Sequence, residues 1–314
     1  MCKTIIKKED TRALLLFVIL FFSSLNSIAQ DSINYTSSEI IYGRKDGMAL
    51  TMIAVIPKQH AKGKAVISLV SGNWNSNYSM SARYILRSIY LVNNGFTVFF
   101  VMHGSQPRYA INDEVADVKR AVRFIRAHAK EYAVDADHIG ISGSSSGGHL
   151  SLMVALSNEQ NILSADSVDK VSSRVQSTAV FFPPTDFLNW GTANTNIDMQ
   201  NLKKVGVAGA FDFKILSDST RLYEHVKEEV KLKKFAEENS PINNVSSDDP
   251  PILILHGDAD PVVPLQQSQS LIKKLKEAGV KNELIIKPGG KHGWPNDASE
   301  EAIIVKWFDE CLKK

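Results

Sequence analysis

Residues 139–150 read Ile139-Gly140-Ile141-Ser142-Gly143-Ser144-Ser145-Ser146-Gly147-Gly148-His149-Leu150. A short apolar run passes through a Gly-x-Ser-x-Gly turn into a helix-forming run, and these are the three parts of a nucleophile elbow. A polar Gly/Ser stretch without such flanks would indicate an ordinary loop. Gly143 and Gly147 lack side chains where the strand and helix backbones would otherwise collide with the turn. The pattern predicts that Ser145 is strained and presents its hydroxyl above the edge of a sheet.

The rest of the chain alternates apolar runs of strand length with segments whose apolar residues recur at helical spacing. The first two runs are linked by Arg44-Lys45-Asp46-Gly47, and Asp-Gly between apolar runs indicates a hairpin. A hairpin followed by alternating strands and helices predicts an α/β fold with a mostly parallel eight-stranded sheet and helices on both faces. Besides the run before Gly143, the predicted strands span 38–43, 48–56, 64–70, 96–102, 178–182, 251–256 and 282–287, and the predicted helices span 80–93, 113–130, 150–156, 219–238, 266–278 and 299–312.

The amino terminus, residues 1–29, has the pattern of a secretory signal peptide. Four basic residues within the first twelve positions precede an apolar run over 13–22, and Ser27-Ile28-Ala29 supplies small residues at the −3 and −1 positions of a cleavage site. The apolar run is short for spanning roughly 30 Å of hydrocarbon. We therefore expect cleavage after Ala29, a secreted or periplasmic location, and no membrane association of the mature chain.

The remaining residues, 30–314, are predicted to form a single domain. The 314-residue chain is 44% hydrophobic and 22% charged, close to ordinary globular composition, and contains no repeat or Pro/Ser-rich linker. Its net charge of +2 and the lack of a long basic block argue against nucleic acid as a partner. The segment at about 187–239 is a candidate cap or insertion over the sheet, and a peripheral packing element is an equal alternative. The whole chain has two cysteines, Cys2 and Cys311. Cys2 is expected to leave with the signal peptide, so no internal disulfide is expected in the mature chain.

Three predicted strands are followed by residues that together could form a catalytic triad. Ser145 follows one strand, Asp258 and Asp260 follow the strand over 251–256, and His292 follows the last. This chain order, Ser, Asp, His, is the one found with the nucleophile elbow. Serine needs a base to take its proton, imidazole with a pKa of about 6.5 suits that task, and a carboxylate orients the imidazole ring. The residues alone leave the acid open between Asp258, which could brace its own turn, and Asp260, which lies next to Pro261. Asp260 is the preferred acid, with support from the resemblance described below.

Two backbone amides are needed to bind the oxyanion of an acyl-transfer intermediate. Ser146 follows the nucleophile at the start of a helix and supplies one of them. The second donor is expected in the turn after the third strand, from the amide of Gly72 or Asn73. Trp74 would then form a wall of the pocket, and a buried structural tryptophan is an equal alternative.

Other aromatic and histidine residues near these strand ends are assigned supporting positions. His103 ends the fourth strand and Trp294 follows His292 by two residues, so both are predicted to line the substrate pocket. His149 is predicted to pack beneath the site and His256 to brace the acid loop. The sequence has no His-x-x-x-His pair and no Gly-x-x-x-x-Gly-Lys motif, so we predict no metal and no cofactor.

Residues 143–150 and 240–264 carry a resemblance to a known superfamily. The first segment is similar to the Gly-x-Ser-x-Gly-Gly-His-Leu elbow, and the second contains the motif His-Gly-x-x-Asp. Together they resemble the α/β-hydrolase superfamily, and within it the branch of secreted bacterial carbohydrate esterases and prolyl-oligopeptidase-like enzymes. In that branch the fifth residue of His-Gly-x-x-Asp is the triad acid, which corresponds to Asp260. The oxyanion loop departs from the usual His-Gly-Gly-Gly-Trp, because this chain has Val70-Ser71-Gly72-Asn73-Trp74.

The resemblance implies the α/β-hydrolase fold and a secreted serine carboxylesterase. Such an enzyme works through an acyl-enzyme, and acetyl-xylan and feruloyl esterases of this branch suggest short acyl or feruloyl groups on plant polysaccharide as substrates. The expected partner is therefore a small-molecule or polysaccharide ester. A serine peptidase of the prolyl-oligopeptidase type is an alternative. A non-catalytic binding protein that retains the hydrolase fold is another, and the presence of Ser145, Asp260 and His292 argues against it.

Overall fold

The computed structural model of the protein describes residues 34–159, 164–192, 195, 208–295 and 297–313. The predicted signal peptide lies outside these residues. The strands are β1 (Tyr35–Lys45), β2 (Met48–Pro57), β3 (Ala65–Leu69), β4 (Thr97–Val101), β5 (Ile139–Ser144), β6 (Ser177–Phe181), β7 (Lys214–Leu216), β8 (Tyr223–His225), β9 (Ile252–Gly257) and β10 (Asn282–Lys287). The α-helices are α1 (Ser81–Asn93), α2 (Ile111–Ala127), α3 (Ser146–Leu156), α4 (Glu229–Glu238), α5 (Gln266–Glu277) and α6 (Ala298–Cys311).

The main sheet has eight strands in the order β1-β2-β4-β3-β5-β6-β9-β10. β1 and β2 form an antiparallel hairpin, β2 is antiparallel to β4, and every other neighbouring pair is parallel. The prediction of a mostly parallel eight-stranded sheet is therefore confirmed. The hairpin link is shorter than predicted, because the strands extend until only Asp46 and Gly47 connect them. Both residues have positive φ, 48° and 79°, which is the geometry of a type I′ turn.

Helices cover both faces of this sheet. Ile67 and Leu69 of β3 belong to a buried cluster with residues of α2 and α3, whereas Val66 belongs to a second cluster with residues of α1 and α6. Successive side chains of a strand point to opposite faces, so the two clusters lie on opposite sides of the sheet. All residues of β3 and β4 are buried, as expected of central parallel strands. The strand ends are thus fixed in space by packing on both sides.

The segment between β6 and β9 differs most from the sequence prediction. The charged run over 219–238 was expected to be one helix, but its first part belongs to the two-stranded β7-β8 sheet, and only α4 is helical. Strands of three residues are too short to show a period of two in the sequence. Phe187, Phe211 and Phe213 of this segment pack into the main buried cluster. The described residues from Tyr35 onward form one compact unit. None of the described helices has the length and apolar character needed to span a membrane.

Candidate active site

Ser145 occupies a sharp turn between β5 and α3. Its backbone has φ 54° and ψ −121°, a conformation that is costly for a residue with a side chain, and its N–H donates to the Phe181 carbonyl at 2.9 Å. A Cβ placed on Gly143 would lie 2.4 Å from the backbone of Gly147, so only glycine allows the strand to pass the helix there. A Cβ on Gly147 would meet neighbours at 3.4 Å, an ordinary contact. The sequence predicts that glycine is required at both Gly143 and Gly147. In the structure only Gly143 of the two is sterically required to be glycine.

The three residues predicted to form a triad are brought together by the loops after β5, β9 and β10. His292 Nε2 lies 2.9 Å from Ser145 Oγ, and His292 Nδ1 lies 2.8 Å from Asp260 Oδ2. The Asp260 side chain is fully buried, while that of His292 is 21% exposed. The arrangement links a strained serine, an accessible imidazole and a buried carboxylate in one chain of hydrogen bonds.

The environment of Asp260 keeps its carboxyl group ionised. Burial raises its pKa, but hydrogen bonds from His256, His292 and the backbone amides of Val262 and Val263 outweigh that effect and lower the pKa below its ordinary value. An ionised carboxylate can only accept hydrogen bonds, so the Nδ1 of His292 must carry the proton. The Nε2 atom of neutral His292 is then an acceptor for the Ser145 hydroxyl. Asp260 thereby sets the tautomer that a general base needs.

Two neighbouring residues hold the loop that carries Asp260. His256 is fully buried, with Nδ1 2.6 Å from Ser268 Oγ and Nε2 3.0 Å from the Val263 carbonyl. It lies beneath the acid loop, as the sequence led us to expect. Asp258 is exposed and accepts a hydrogen bond from the Gly289 amide at 2.6 Å, which ties the acid loop to the loop that carries the candidate base. Asp258 therefore braces a turn and has no contact with His292.

The turn that faces Ser145 is closed on itself. Gly72 and Asn75 exchange two backbone hydrogen bonds of 3.0 Å, and the two residues between them, Asn73 and Trp74, both have positive φ, 56° and 53°. The prediction that the Gly72 amide serves as an oxyanion donor is wrong, because this N–H is already bonded to the Asn75 carbonyl. The Asn73 amide donates to no other described residue, and Asn73 lines the cleft together with Ser145.

Side chains around this turn attach it to the elbow and to the loop after β4. Ser71 Oγ lies 3.1 Å from Ser146 Oγ at the start of α3. From the other side, the backbone N–H of Gln106 donates to the Trp74 carbonyl at 3.2 Å and its side-chain amide donates to the Asn73 carbonyl at 3.3 Å. The Ser146 amide, the other predicted oxyanion donor, sits at the α3 amino terminus next to Ser145. These bonds fix the two candidate donors relative to each other.

Trp74 points into the core. It is 5% exposed, packs edge-on against Phe187 and Phe211, and donates its indole N–H to His149 Nδ1 at 3.2 Å. The prediction that Trp74 walls the substrate pocket is therefore wrong, and its alternative, a buried structural tryptophan, is what the structure shows. The left-handed backbone at Trp74 turns the ring away from the cleft, and its packing compensates for that strain.

His149 is a fixed, neutral histidine beneath the site. Burial lowers its pKa to about 4, against the opposing effect of its hydrogen bond to the Asn239 carbonyl. Its Nε2 lies 2.8 Å from that carbonyl and therefore carries the proton, which leaves Nδ1 to accept from Trp74. His149 thus connects the turn that faces Ser145 to the end of α4.

His103 is buried beside Glu114 and does not line the cleft. Its Nδ1 lies 3.7 Å from Glu114 Oε2, in a loop held by a hydrogen bond from the Gly104 amide to Asp117 at 2.9 Å. Burial lowers the pKa of His103 to about 4 and raises the pKa of Glu114 to about 10, so both groups are neutral near pH 7. The prediction that His103 lines the substrate pocket is wrong, because the loop after β4 folds its ring toward α2.

Replacing Glu114 by glutamine is expected to stabilise the protein at alkaline pH. The folded-state pKa of Glu114 is raised, so its contribution to stability is complete below the unfolded pKa and falls as pH rises toward 10. One such group changes the free energy of unfolding by up to about 1.4 kcal/mol per pH unit. Urea unfolding of Glu114→Gln and wild type between pH 5 and about 9 should give a difference that grows with pH. The exposed Glu283→Gln is the control, and a pH-independent difference for Glu114→Gln contradicts the prediction.

The candidate site opens into a cleft of about 710 Å³. Trp294 lines this cleft, as predicted, and its indole N–H donates to the Glu300 carboxylate at 2.8 Å. Phe182, also a lining residue, packs against the His292 ring with 4.7 Å between ring centroids. Across the cleft, the Tyr84 hydroxyl of α1 donates to the Ser71 carbonyl at 2.6 Å. Phe182 was predicted only as the end of a strand, although its place at a strand's carboxyl end could have indicated the site.

Helix α1 contributes lining residues that sequence reasoning missed. Arg83, Tyr84, Leu86 and Arg87 all line the cleft. The sequence contained a signal for this, because the helix that follows the turn facing Ser145 must begin near that turn.

Within the described part of the chain, no group of three His, Cys, Asp or Glu side chains is placed to hold a metal ion.

Comparison with known proteins identifies the family. Residues 53–275, more than two thirds of the chain, match the BD-FAE family. The chain belongs to the BD-FAE family. The resemblance to esterases of the α/β-hydrolase superfamily, noted from the elbow and the acid loop, is thereby confirmed.

Relatives of this BD-FAE chain carry esterase names. Esterase LipQ of Mycobacterium tuberculosis is 27% identical over 221 residues, which cover 69% of this chain and 47% of LipQ. An acetylxylan esterase of Xylanibacter ruminicola is 25% identical over 136 residues, 43% of this chain and 28% of that enzyme. The chain spans about half the length of the curated relatives that it matches first. A solved structure, a truncated form of a carbohydrate esterase from gut microbiota, is 28% identical with a TM-score of 0.73 and covers 90% of this chain and 99% of its own. The predicted α/β-hydrolase fold is confirmed.

Proposed function

We propose that this chain is a secreted serine hydrolase that cleaves carboxylic esters. The observation that carries the proposal is the hydrogen-bonded series Ser145–His292–Asp260, with the serine held at a strained φ of 54°. Membership of the BD-FAE family and the esterase names of its relatives support the same reaction class. The arrangement has the geometry that nucleophilic acyl transfer requires.

Acylation begins at Ser145. Its Oγ attacks the ester carbonyl carbon while His292 Nε2 takes the hydroxyl proton, and the negative charge of Asp260 stabilises the imidazolium that forms. The carbonyl oxygen becomes an oxyanion, which the backbone amides of Ser146 and Asn73 bind. When the tetrahedral intermediate collapses, the C–O bond to the alcohol breaks and His292 gives its proton to the departing oxygen. The acyl group remains on Ser145.

Deacylation repeats these steps with water. His292 removes a proton from a water molecule as its oxygen attacks the acyl-enzyme carbonyl, and the same two amides bind the second oxyanion. Collapse breaks the bond to Ser145 Oγ, which receives the proton back from His292. The carboxylic acid leaves and the resting hydrogen bonds form again.

The proposed substrates are short acyl or feruloyl esters of plant polysaccharide. A carbohydrate esterase and an acetylxylan esterase among the similar proteins support this class. A cavity of about 60 Å³ shares its lining residues Ser144, Phe182 and Trp294 with the cleft that contains Ser145 and His292. An acyl group that enters this cavity from the cleft would have to be short. A feruloyl group would lie in the larger cleft instead. That cleft, with a volume of about 710 Å³, also has room for an alcohol part of ligand size.

A substrate panel tests the proposed activity. It comprises 4-nitrophenyl esters of increasing acyl length, acetylated xylan, feruloyl esters and prolyl amides. We expect turnover of the esters, with acetyl or propionyl groups preferred. Preferential cleavage of prolyl amides would assign the chain to the peptidase alternative, and a chain inert to the whole panel would support the non-catalytic binding protein.

The secreted location is part of the proposal and rests on residues 1–29. A basic start, a short apolar centre and the Ser27-Ile28-Ala29 cleavage site are the three parts of a secretory signal peptide. Expression in a bacterial host should yield exported protein whose amino-terminal sequence begins at Gln30. Cytoplasmic protein that retains residues 1–29 would contradict this expectation. Deleting residues 2–22 should abolish export and serves as the control.

A further inference from the structure

Helix α1 presents two arginines to the candidate active site. Arg83 and Arg87 are one helical turn apart, are exposed, and line the cleft that contains Ser145 and His292. Arg87 also borders the smaller cavity next to Ser144. Both side chains therefore border the space that a bound ester would occupy.

The charge around these arginines is not balanced by their own helix. The sequence of α1 contains no aspartate or glutamate, and like charges four residues apart on a helix repel each other. Burial lowers the pKa of Arg87, and repulsion from the neighbouring Arg83 lowers it further. Among the described lining residues of the cleft, Glu301 is the one carboxylate. Two cationic side chains of α1 thus line the cleft that contains Ser145.

We propose that Arg83 and Arg87 form a subsite for a carboxylate group carried by the ester substrate. This inference rests on the proposed esterase function, because the subsite and the candidate triad share one cleft. Guanidinium groups bind carboxylates through paired, charge-assisted hydrogen bonds. Because Cβ atoms four residues apart on a helix lie about 5–6 Å from each other, both guanidinium groups can reach one carboxylate. Leu86, 74% exposed between the two arginines, offers an apolar surface to the carbon skeleton beside that carboxylate.

The carboxylate has two sources in an ester, and paired substrates distinguish them. On the alcohol side, as in an acetylated polymer containing uronic acid units, the pair is 4-acetoxybenzoate and the neutral 4-acetoxybenzamide. On the acyl side, the pair is 4-nitrophenyl hydrogen succinate and the neutral 4-nitrophenyl pentanoate. In wild-type protein, kcat/KM for the anionic member of at least one pair should exceed that of the neutral member by about tenfold or more. The pair that shows the preference identifies the side.

The arginine substitutions test the residues themselves. In Arg83→Gln and in Arg87→Gln, the ratio of anionic to neutral kcat/KM should fall by about fivefold to tenfold, mainly through KM, and the double variant should lose the preference. Added salt should weaken the wild-type preference by screening the charges. Arg44→Gln removes the same charge from an exposed position on β1 outside the cleft and should leave the ratio unchanged.

The outcomes separate the subsite from the esterase proposal. A wild-type chain that hydrolyses 4-nitrophenyl acetate but shows no anionic preference in either pair overturns the subsite alone. A preference that survives in the double variant also overturns it. A chain that hydrolyses no ester overturns the esterase function and the subsite with it. As a readout that does not need turnover, benzoate should protect the wild type against heat more than benzamide does, and the double variant should lose this difference.

Discussion

Replacing Ser145 by alanine is expected to lower kcat for 4-nitrophenyl acetate by at least about 10⁴-fold. The substitution removes the Oγ that forms the proposed acyl-enzyme, and neither His292 nor the proposed oxyanion amides can substitute for it. The fold should persist, because alanine experiences the same backbone strain at φ 54° as serine, and the loss of one half-exposed hydrogen bond changes stability by about 1 kcal/mol. Steady-state kinetics and thermal unfolding measure both effects.

Covalent labelling gives a second measurement of the same assignment. A fluorophosphonate probe should attach to one serine of the wild type, at Ser145, and should not label Ser145→Ala. Ser157→Ala is the matched control, because Ser157 lies at the other end of the helix that begins at Ser146 and bonds only to the Met153 carbonyl among described residues. Undiminished turnover or labelling in Ser145→Ala would show that another residue is the nucleophile.

The position of the candidate triad could be predicted from the sequence because it depends on strand ends. Ser145, Asp260 and His292 each follow an apolar run of strand length, and the carboxyl ends of parallel strands share one edge of the sheet. Side-chain contacts are not needed for that inference, since the order of the elements already brings the loops together. The eight-stranded sheet followed from the same alternation of strands and helices.

The turn opposite Ser145 could not be predicted in the same way. Whether Gly72 can donate to a ligand depends on its pairing with Asn75, and whether Trp74 faces the cleft depends on two successive residues with positive φ. A tryptophan in that conformation is unfavourable in isolation and becomes stable only through its bond to His149 and its contacts in the core. Tertiary packing determines the backbone conformation and side-chain direction at such positions, and the local sequence alone does not reveal that packing.

Histidine environments explain why one of several histidines is suited to be the base. His149 and His256 are fully buried and have both ring nitrogens in hydrogen bonds with fixed neighbours, so neither can exchange protons with a substrate. His292 is bonded to Asp260 on one side and faces Ser145 and the cleft on the other. The sequence pattern could place these histidines near the predicted site. Only their hydrogen-bond partners distinguish a histidine that can act as a base from one that supports the structure.

Replacing Asp260 by asparagine is expected to lower kcat/KM by about 10⁴-fold at neutral pH. Asparagine has no charge to stabilise the imidazolium, and its amide can donate to His292 Nδ1, which favours the tautomer that leaves no acceptor at Nε2. Asp258→Asn is the matched control, since Asp258 bonds to the Gly289 amide and not to His292. We expect that variant to retain activity within about tenfold of wild type. A larger loss in Asp258→Asn than in Asp260→Asn would transfer the role of triad acid to Asp258.

The stability of Asp260→Asn adds a pH test to the kinetic one. The folded-state pKa of Asp260 is lowered, so its stabilising contribution is present above the unfolded pKa of about 3.9 and is lost as pH falls through the folded value. The free-energy difference between wild type and Asp260→Asn should therefore be constant across neutral pH and shrink under acid. Urea unfolding at several pH values measures it. A free-energy difference that instead grows as the pH falls would show that Asp260 is protonated in the folded protein. A protonated Asp260 could not fix the Nδ1–H tautomer of His292.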